Sequence, residues 1–264
     1  MELHEYKDRF KSAEVSRDDH GVLTVRLHGR DGALMWGMRP HRELPELWAM
    51  INSDRENRVV VLTGTGDWFI GLQGGGEGLA RGQISPFGWD QVIFEGIRLV
   101  MQMLDIEIPM ICAVNGPAIA HSELAVLCDV VLAAEGAYFQ DAPHFPDDLV
   151  PGDSMQIIWP LLLGPNRGRY FLLTGQKIDA QEAKQLGIVG EVLPADKLLD
   201  RAYEIAHELA HRNPVVLRNT RYVLTRQLKK AMMDDLHMGL ALEAVGSLAG
   251  KGFYARKDEE AGAS

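Results

Sequence analysis

The sequence predicts an α/β fold in which buried, partly parallel strands are interleaved with helices and followed by a stretch of helices alone. Three observations predict it. Short apolar runs alternate with longer segments whose apolar residues recur at helical spacing. The runs at 58–62 (RVVVL) and 130–134 (VVLAA) are largely apolar on both faces, as strands covered from two sides are. Beyond residue 194 no strand-like run recurs.

Taken in order, residues 22–27 (VLTVRL) form a β-branched strand ending in the turn-rich HGRDG. Residues 40–51 (PHRELPELWAMI) have helical spacing, with Pro45 as an internal obstacle to the backbone ladder. The strand at 58–62 is closed by the glycines of GTGD. The order then repeats, with a helix at 89–104, a strand at 109–114, a short helix at 123–128 and a strand at 130–134. The Gly-rich stretch 71–82 is the least structured interior segment, either an active-site loop or a surface loop. After Asp153 come helices at 154–163, 166–174 and 179–186, the last capped by Asp179, and then a final strand at 188–193. Asn213 and Pro214 together start a new helix, one as cap and the other at the first helical position. A boundary near 195 therefore separates a core, 1–195, from a helical oligomerisation region, 196–264, whose polar end frays after 251.

Composition narrows the function classes. Of 264 residues, 46% are hydrophobic and 24% charged, the usage of an ordinary globular protein. The net charge of −10 repels phosphate backbones and anionic lipid, so neither nucleic acid nor membrane is expected as a partner. The basic RQLKK at 226–230 reads as a solvated helix face. Cys112 and Cys128 lie in apolar runs and behave as small hydrophobes, and the charged N-terminus has no leader-like apolar stretch, which points to the cytoplasm. The sequence has no GxGxxG after a strand, no GxxxxGK[ST], no GxSxG and no HExxH or CxxC. The expectation is chemistry without a metal or cofactor.

Two segments bring together groups that can do chemistry. Residues 141–153 (DAPHFPDDLVPGD) hold a histidine, four aspartates and three prolines between a strand and a helix. A Pro-Gly turn at 151–152 can fold Asp153 back onto the His144 ring. A carboxylate on one imidazole nitrogen fixes the tautomer and leaves the other as a base. The alternative is a surface turn whose aspartates cap the following helix. The second segment, 114–123 (VNGPAIAHSE), is a small-residue turn leading into a helix. It offers backbone N–H groups, and His121, to an oxyanion; otherwise His121 is a cap or a core histidine. The residues alone leave both pairs of readings open.

Four longer segments decide between them: RENRVVVLTGTGDWF at 55–69, IPMICAVNGPAIAHSELAVLCDVVLAAEGAYFQDAPHF at 108–145, LVPGDS at 149–154 and LLTGQKIDAQEAKQLGIVGEVLP at 172–194. In these the chain resembles the crotonase (enoyl-CoA hydratase/isomerase) superfamily over residues 15 to 225 or so. The resemblance implies a ββα spiral with two roughly perpendicular sheets, a C-terminal helical trimerisation region, and a homotrimer or dimer of trimers. It also implies an oxyanion hole of two backbone N–H groups, which map to 71–74 and 120–122. The chain departs from the family where CoA thioesters are cradled, reading IGLQGG at 70–75 instead of AGAD and NGPAIAHS at 115–122 in place of NGxAxGGG. His144 stands where hydratases carry a glutamate, and PGDS replaces PGAGG.

WDQVIFEG at 89–96, PHFP at 143–146, VPGD at 150–153, NRGRYFLLTGQ at 166–176 and GLALEA at 239–244 narrow the resemblance to one subgroup, the β-diketone hydrolases typified by 6-oxocamphor hydrolase. That subgroup implies cleavage of a C–C bond in a small, cyclic β-diketone by retro-Claisen attack of water. It implies His144, Asp153, Glu243 and His121 as catalytic residues and Trp36 and Phe94 at the substrate. A neutral His144, oriented by Asp153, is then the base, with Glu243 reaching the same water and His121 and Trp36 holding carbonyl oxygens. Trp68, Trp89 and Phe94 are further candidates for an apolar pocket wall. The rivals are an acyl-CoA hydratase or isomerase with Glu123 as its carboxylate, and a non-enzymatic module on the same fold.

Overall fold

A computed structural model describes residues 1–30, 32–72 and 84–249. The chain begins with an antiparallel hairpin, β1 (Ala13–Arg17) and β2 (Val22–Leu27), and continues through β3 (Met35–Trp36), α1 (Met38–Ser53), β4 (Val59–Thr63) and β5 (Gly71–Leu72). It then passes through α2 (Pro86–Asp105), β6 (Met110–Val114), α3 (Glu123–Val126), β7 (Val130–Ala134) and β8 (Tyr138–Phe139). The last part comprises α4 (Met155–Leu163), α5 (Pro165–Thr174), β9 (Ile178–Asp179), α6 (Ala180–Gln185), β10 (Glu191–Leu193), α7 (Ala195–Ala210) and α8 (Pro214–Ala249).

The main sheet has six strands in the order β1-β2-β4-β6-β7-β10, parallel except for the β1–β2 pair. Its central strands are buried throughout because both faces are covered, and the strand period of two sends alternate side chains to opposite cores. Val60, Leu62, Met110 and Cys112 join Leu44, Leu47, Leu99 and Met103 of α1 and α2. Val59, Val61, Ile111 and Ala113 instead meet Leu198, Ala202, Ala206 and Ala210. Helix α7, which the sequence groups with the C-terminal helices, thus closes the second face of the sheet, its alanines one turn apart allowing close approach.

A second, shorter layer carries the functional loops. The pairs β3–β5 and β8–β9 are linked through single bridges, Ile70 to Ala118 and Ala118 to Phe139. Strands of two residues leave no periodicity to read, which is why the sequence showed none of them. Strand β1 was missed as well: it is an edge strand of five residues with every second side chain exposed. The expected strand at 188–193 shrinks to Glu191–Leu193 and the helix at 123–128 to Glu123–Val126. Asp179 caps α6 as expected, accepting from Glu182 N, and Asn213 accepts from Val215 N at the start of α8. Pro45 lies buried within α1 without ending it. Of the Gly-rich stretch only Gly71 and Leu72, in β5, belong to the described residues.

Helix α8 is 36 residues long, about 54 Å at 1.5 Å per residue, and packs against α2 and α4. Arg221 anchors it: fully buried, its Nε donates to Asp129 Oδ2 at 2.7 Å and its Nη1 to the Ile106 carbonyl just past the end of α2. Among the described residues no helix is long and apolar enough to cross a membrane.

Candidate active site

His144 follows β8 at the entrance to a single 3-10 turn, Phe145–Asp147. The prolines at 143 and 146 stiffen this loop. Its backbone is tied down by Ala142 N donating to Ile119 O (3.1 Å) and Leu149 N donating to His144 O (3.0 Å). Asp141, three residues back in the same loop, lies at the ring, so that His144 Nδ1 donates to Asp141 Oδ1 at 2.5 Å. Asp153 does fold back onto His144, but its Oδ2 lies 3.4 Å from Nε2. The sequence reading placed Asp153 as the carboxylate that fixes the tautomer and leaves the other nitrogen as base. The structure gives the orienting position to Asp141 and sets Asp153 against the working nitrogen.

His121 repeats the arrangement. Its Nδ1 donates to Glu123 Oε1 at 2.6 Å, and its Nε2 is 3.3 Å from the same Asp153 Oδ2. Two histidines, each held from behind by a carboxylate, therefore converge on one aspartate. His121 and Ser154, the residue after Asp153, have φ of +46° and +87°. Non-glycine residues rarely adopt this left-handed region; when they do, the surrounding structure is holding them there, and such strain collects at functional sites.

Glu243 arrives from α8, its Oε1 3.9 Å from His144 Nε2. The helix comes this close because two glycines meet where it crosses the loop. A Cβ on Gly152 would lie 2.1 Å from the Gly239 carbonyl oxygen, and one on Gly239 would lie 2.4 Å from the Gly152 oxygen. Glu243 is one turn beyond Gly239, so the contact delivers it to the imidazole. Trp36 stacks on His121 with ring centroids 3.8 Å apart and a 34° tilt. His41 meets both rings edge-on at 6.0 Å, with its own Nδ1 donating to Glu95 Oε2 (3.2 Å).

His121, His144, Asp153 and Glu243 are all buried, so their charges act at short range in a poor dielectric. Burial alone would push the His144 imidazolium toward losing its proton, but Asp141 and Asp153 outweigh it and hold its pKa well above the ordinary value. The same contest raises His121, where Glu123 and Asp153 overcome burial. For Asp153 burial is overcome by the two imidazoles, which hold it well below the usual carboxylate range. Glu243 goes the other way: burial dominates and pushes it up to about 8. Burial lowers His41, whereas Glu95, hydrogen-bonded by His41, Gln91 and Arg42, is held at about 2 despite its own burial. The neutral His144 expected from sequence is therefore not what these surroundings favour.

Of the six sequence-derived candidates, five come together: Trp36, His121, His144, Asp153 and Glu243. Phe94 does not. Its ring is 54% exposed on the outer face of α2 with the Arg98 guanidinium 5.2 Å above it, since the buried face of α2 is set by Trp89, Val92 and Gly96. Trp89 packs with Val92 and Ala244 in a small separate cluster, and Trp68 is half-buried beside Gly71. The oxyanion position expected within 71–74 is not supplied by Gly71, whose N–H already donates to Leu34 O (2.9 Å); 73 and 74 lie outside the described residues. Asp141 was missed as a positioning residue, and Glu123 entered only as a rival catalytic acid. Their signals were the short spacings D-x-x-H and H-x-E, which mean little until a turn aims the rings.

Comparison with known proteins follows the same lines. Residues 18–245 match the family model described as enoyl-CoA hydratase/isomerase. The solved structure of ABDH, a β-diketone hydrolase from the cyanobacterium Anabaena sp. PCC 7120 bound to (S)-3-oxocyclohexyl acetic acid, is similar with a TM-score of 0.90 and 42% identity, covering 94% of this chain and 98% of that one. An enoyl-CoA hydratase/isomerase from Mycobacterium paratuberculosis is similar with a TM-score of 0.83 and 28% identity, covering 91% and 95%. In sequence, the carnitinyl-CoA dehydratase of Citrobacter koseri is 31% identical over 176 residues, 66% of each chain.

Proposed function

The chain belongs to the enoyl-CoA hydratase/isomerase, or crotonase, family, and from that premise we propose that it is a hydrolase that cleaves a C–C bond in a small, cyclic β-diketone. The observation that carries this reading is the convergence of two buried histidines, each backed by a carboxylate, on Asp153. Retro-Claisen cleavage calls for a cationic donor at a carbonyl oxygen and a proton acceptor at the water, and this cluster provides both. The likeness to the Anabaena β-diketone hydrolase supports it.

In this mechanism His121 Nε2–H holds one carbonyl oxygen, its ring fixed by Glu123 and Trp36. Water sits within hydrogen-bond reach of His144 and Glu243 and forms a bond to the carbonyl carbon while giving its proton to that pair. The tetrahedral oxyanion collapses, the C–C bond breaks, and the leaving enolate takes the proton at carbon. The new carboxylic acid ionises to solvent, leaving a keto acid. His144 and Glu243 face each other across 3.9 Å and titrate as a group, so the base is this group after loss of one proton, not an isolated imidazole.

The sign of the pH dependence follows. Both groups have raised pKa values, Glu243 about 8, so at pH 6 the acceptor is protonated and absent. Initial rates should give a kcat/KM that rises tenfold or so per unit from about pH 6 toward 8. A flat or falling limb in that range removes the base assignment. Assaying a panel of mono- and bicyclic 1,3-diketones beside crotonyl-CoA tests the reaction class: turnover of a diketone with negligible hydration of the thioester is expected, and the reverse result overturns the proposal.

We also read the outer face of α8 as the contact for a homotrimer or dimer of trimers. Val215, Val216, Val223, Leu224, Met233, Leu242 and Val245 are exposed along it, more apolar surface than a monomer ordinarily shows. Light scattering at micromolar concentration should report a multiple of three chains, and a monomer would count against the reading.

A further inference from the structure

We propose that the same buried cluster binds a divalent transition-metal ion of the zinc type, held by His144 Nε2, Asp153 and Glu243, and that this ion competes with substrate. Imidazole nitrogen and carboxylate oxygen form the borderline donor set that zinc accepts.

The spacings suit one ion. Zinc bonds of about 2.0–2.2 Å in tetrahedral geometry set ligand atoms roughly 3.3–3.6 Å apart. Asp153 Oδ2 lies 3.4 Å from His144 Nε2 and Glu243 Oε1 lies 3.9 Å from the same nitrogen, so on these distances Glu243 has to close by a few tenths of an ångström. The donor atoms of His144, Asp153 and Glu243 all lie within 4.8 Å of one another.

The surroundings supply a second, independent indication. The His144 imidazole has Nδ1 tied to a carboxylate, Asp141, which is how metal-bound histidines are aimed. The second oxygens of the same two carboxylates, Asp153 Oδ1 and Glu243 Oε2, are buried and without a hydrogen-bond partner among the described residues, so neither carboxylate is fully satisfied by protein donors. His144 and Asp153 share one loop while Glu243 lies some 90 residues further on, so no compact spacing motif reveals the set. Metal binding displaces the His144 proton, and the ion would occupy the place of the attacking water. Inhibition rests on the diketone reading; binding does not.

The test is calorimetric titration of chelator-treated, dialysed protein with zinc chloride near neutral pH. One ion per chain with micromolar or tighter affinity is expected, weakened about tenfold or more in His144→Ala and in the conservative Glu243→Gln, both checked for folding by circular dichroism. The surface pair His207 and His211, four residues apart at the C-terminal end of α7 with His207 bonded to Asp18, is the competing chelator, and His207→Ala/His211→Ala should leave the event unchanged. No binding at about 100 μM zinc, or binding lost only in the His207/His211 variant, overturns the proposal. With a cleavable diketone in hand, zinc should raise the apparent KM and EDTA reverse it; zinc-stimulated turnover overturns the inhibitory role. If no diketone is cleaved, the calorimetry still decides whether the metal binds.

Discussion

Replacing His144 by alanine is expected to lower kcat on a cleavable cyclic diketone by about 10²–10⁴-fold, the contribution of positioned acid–base catalysis, with KM and fold little changed. The ring is buried, held by Asp141 at 2.5 Å and within ion-pair reach of Asp153 and Glu243, so its loss breaks up the His144–Glu243 proton-accepting group without touching the main sheet. Asp153→Asn should also be severe. A double-mutant cycle then tells what Asp153 does. Because its Oδ2 faces both imidazoles, the double variant should lose less than the product of the single losses yet more than His144→Ala alone. A double variant no worse than His144→Ala would confine Asp153 to orienting that ring. Fully multiplicative losses would give it an independent role, and full activity in His144→Ala would remove the proposed base.

His121→Ala is expected to cost kcat about 10²–10³-fold, or roughly 3–4 kcal/mol, as loss of one preorganised donor to a developing oxyanion does. The effect should fall on kcat more than on KM, because the bond strengthens as charge builds on oxygen. Circular dichroism should be unchanged, although Trp36 loses its stacking partner at 3.8 Å. Equal losses in kcat and in substrate affinity would make His121 a ground-state contact, and an unaffected kcat would take it out of the reaction.

Much of the fold was legible because it is local. The runs at 22–27, 58–62 and 130–134 carry β-branched apolar residues over five or six positions, enough to declare a strand, and Asp179 and Asn213 declare helix starts by capping chemistry. His121, His144, Asp153 and Glu243 were named from sequence too, since their neighbouring motifs resemble those of one subgroup of a known family. Phe94 was named on the same grounds and fails, because helical phase, which a motif does not convey, turns it outward.

Tertiary structure decided the rest. Which nitrogen of His144 meets Asp153 depends on the loop after β8, which places Asp141 under the ring, and on where α8 crosses the Gly152 backbone. The layer that carries the loops is built from two-residue strands and single bridges, each meaningful only beside its partner. Protonation was beyond sequence altogether: a histidine's charge is set by how deeply it is buried and how many carboxylates share that burial. The chain thus determined which groups are available for chemistry, while packing determined their orientation and which of them hold a proton, because electrostatic energy depends on distance and dielectric and neither exists until segments far apart in sequence are brought together.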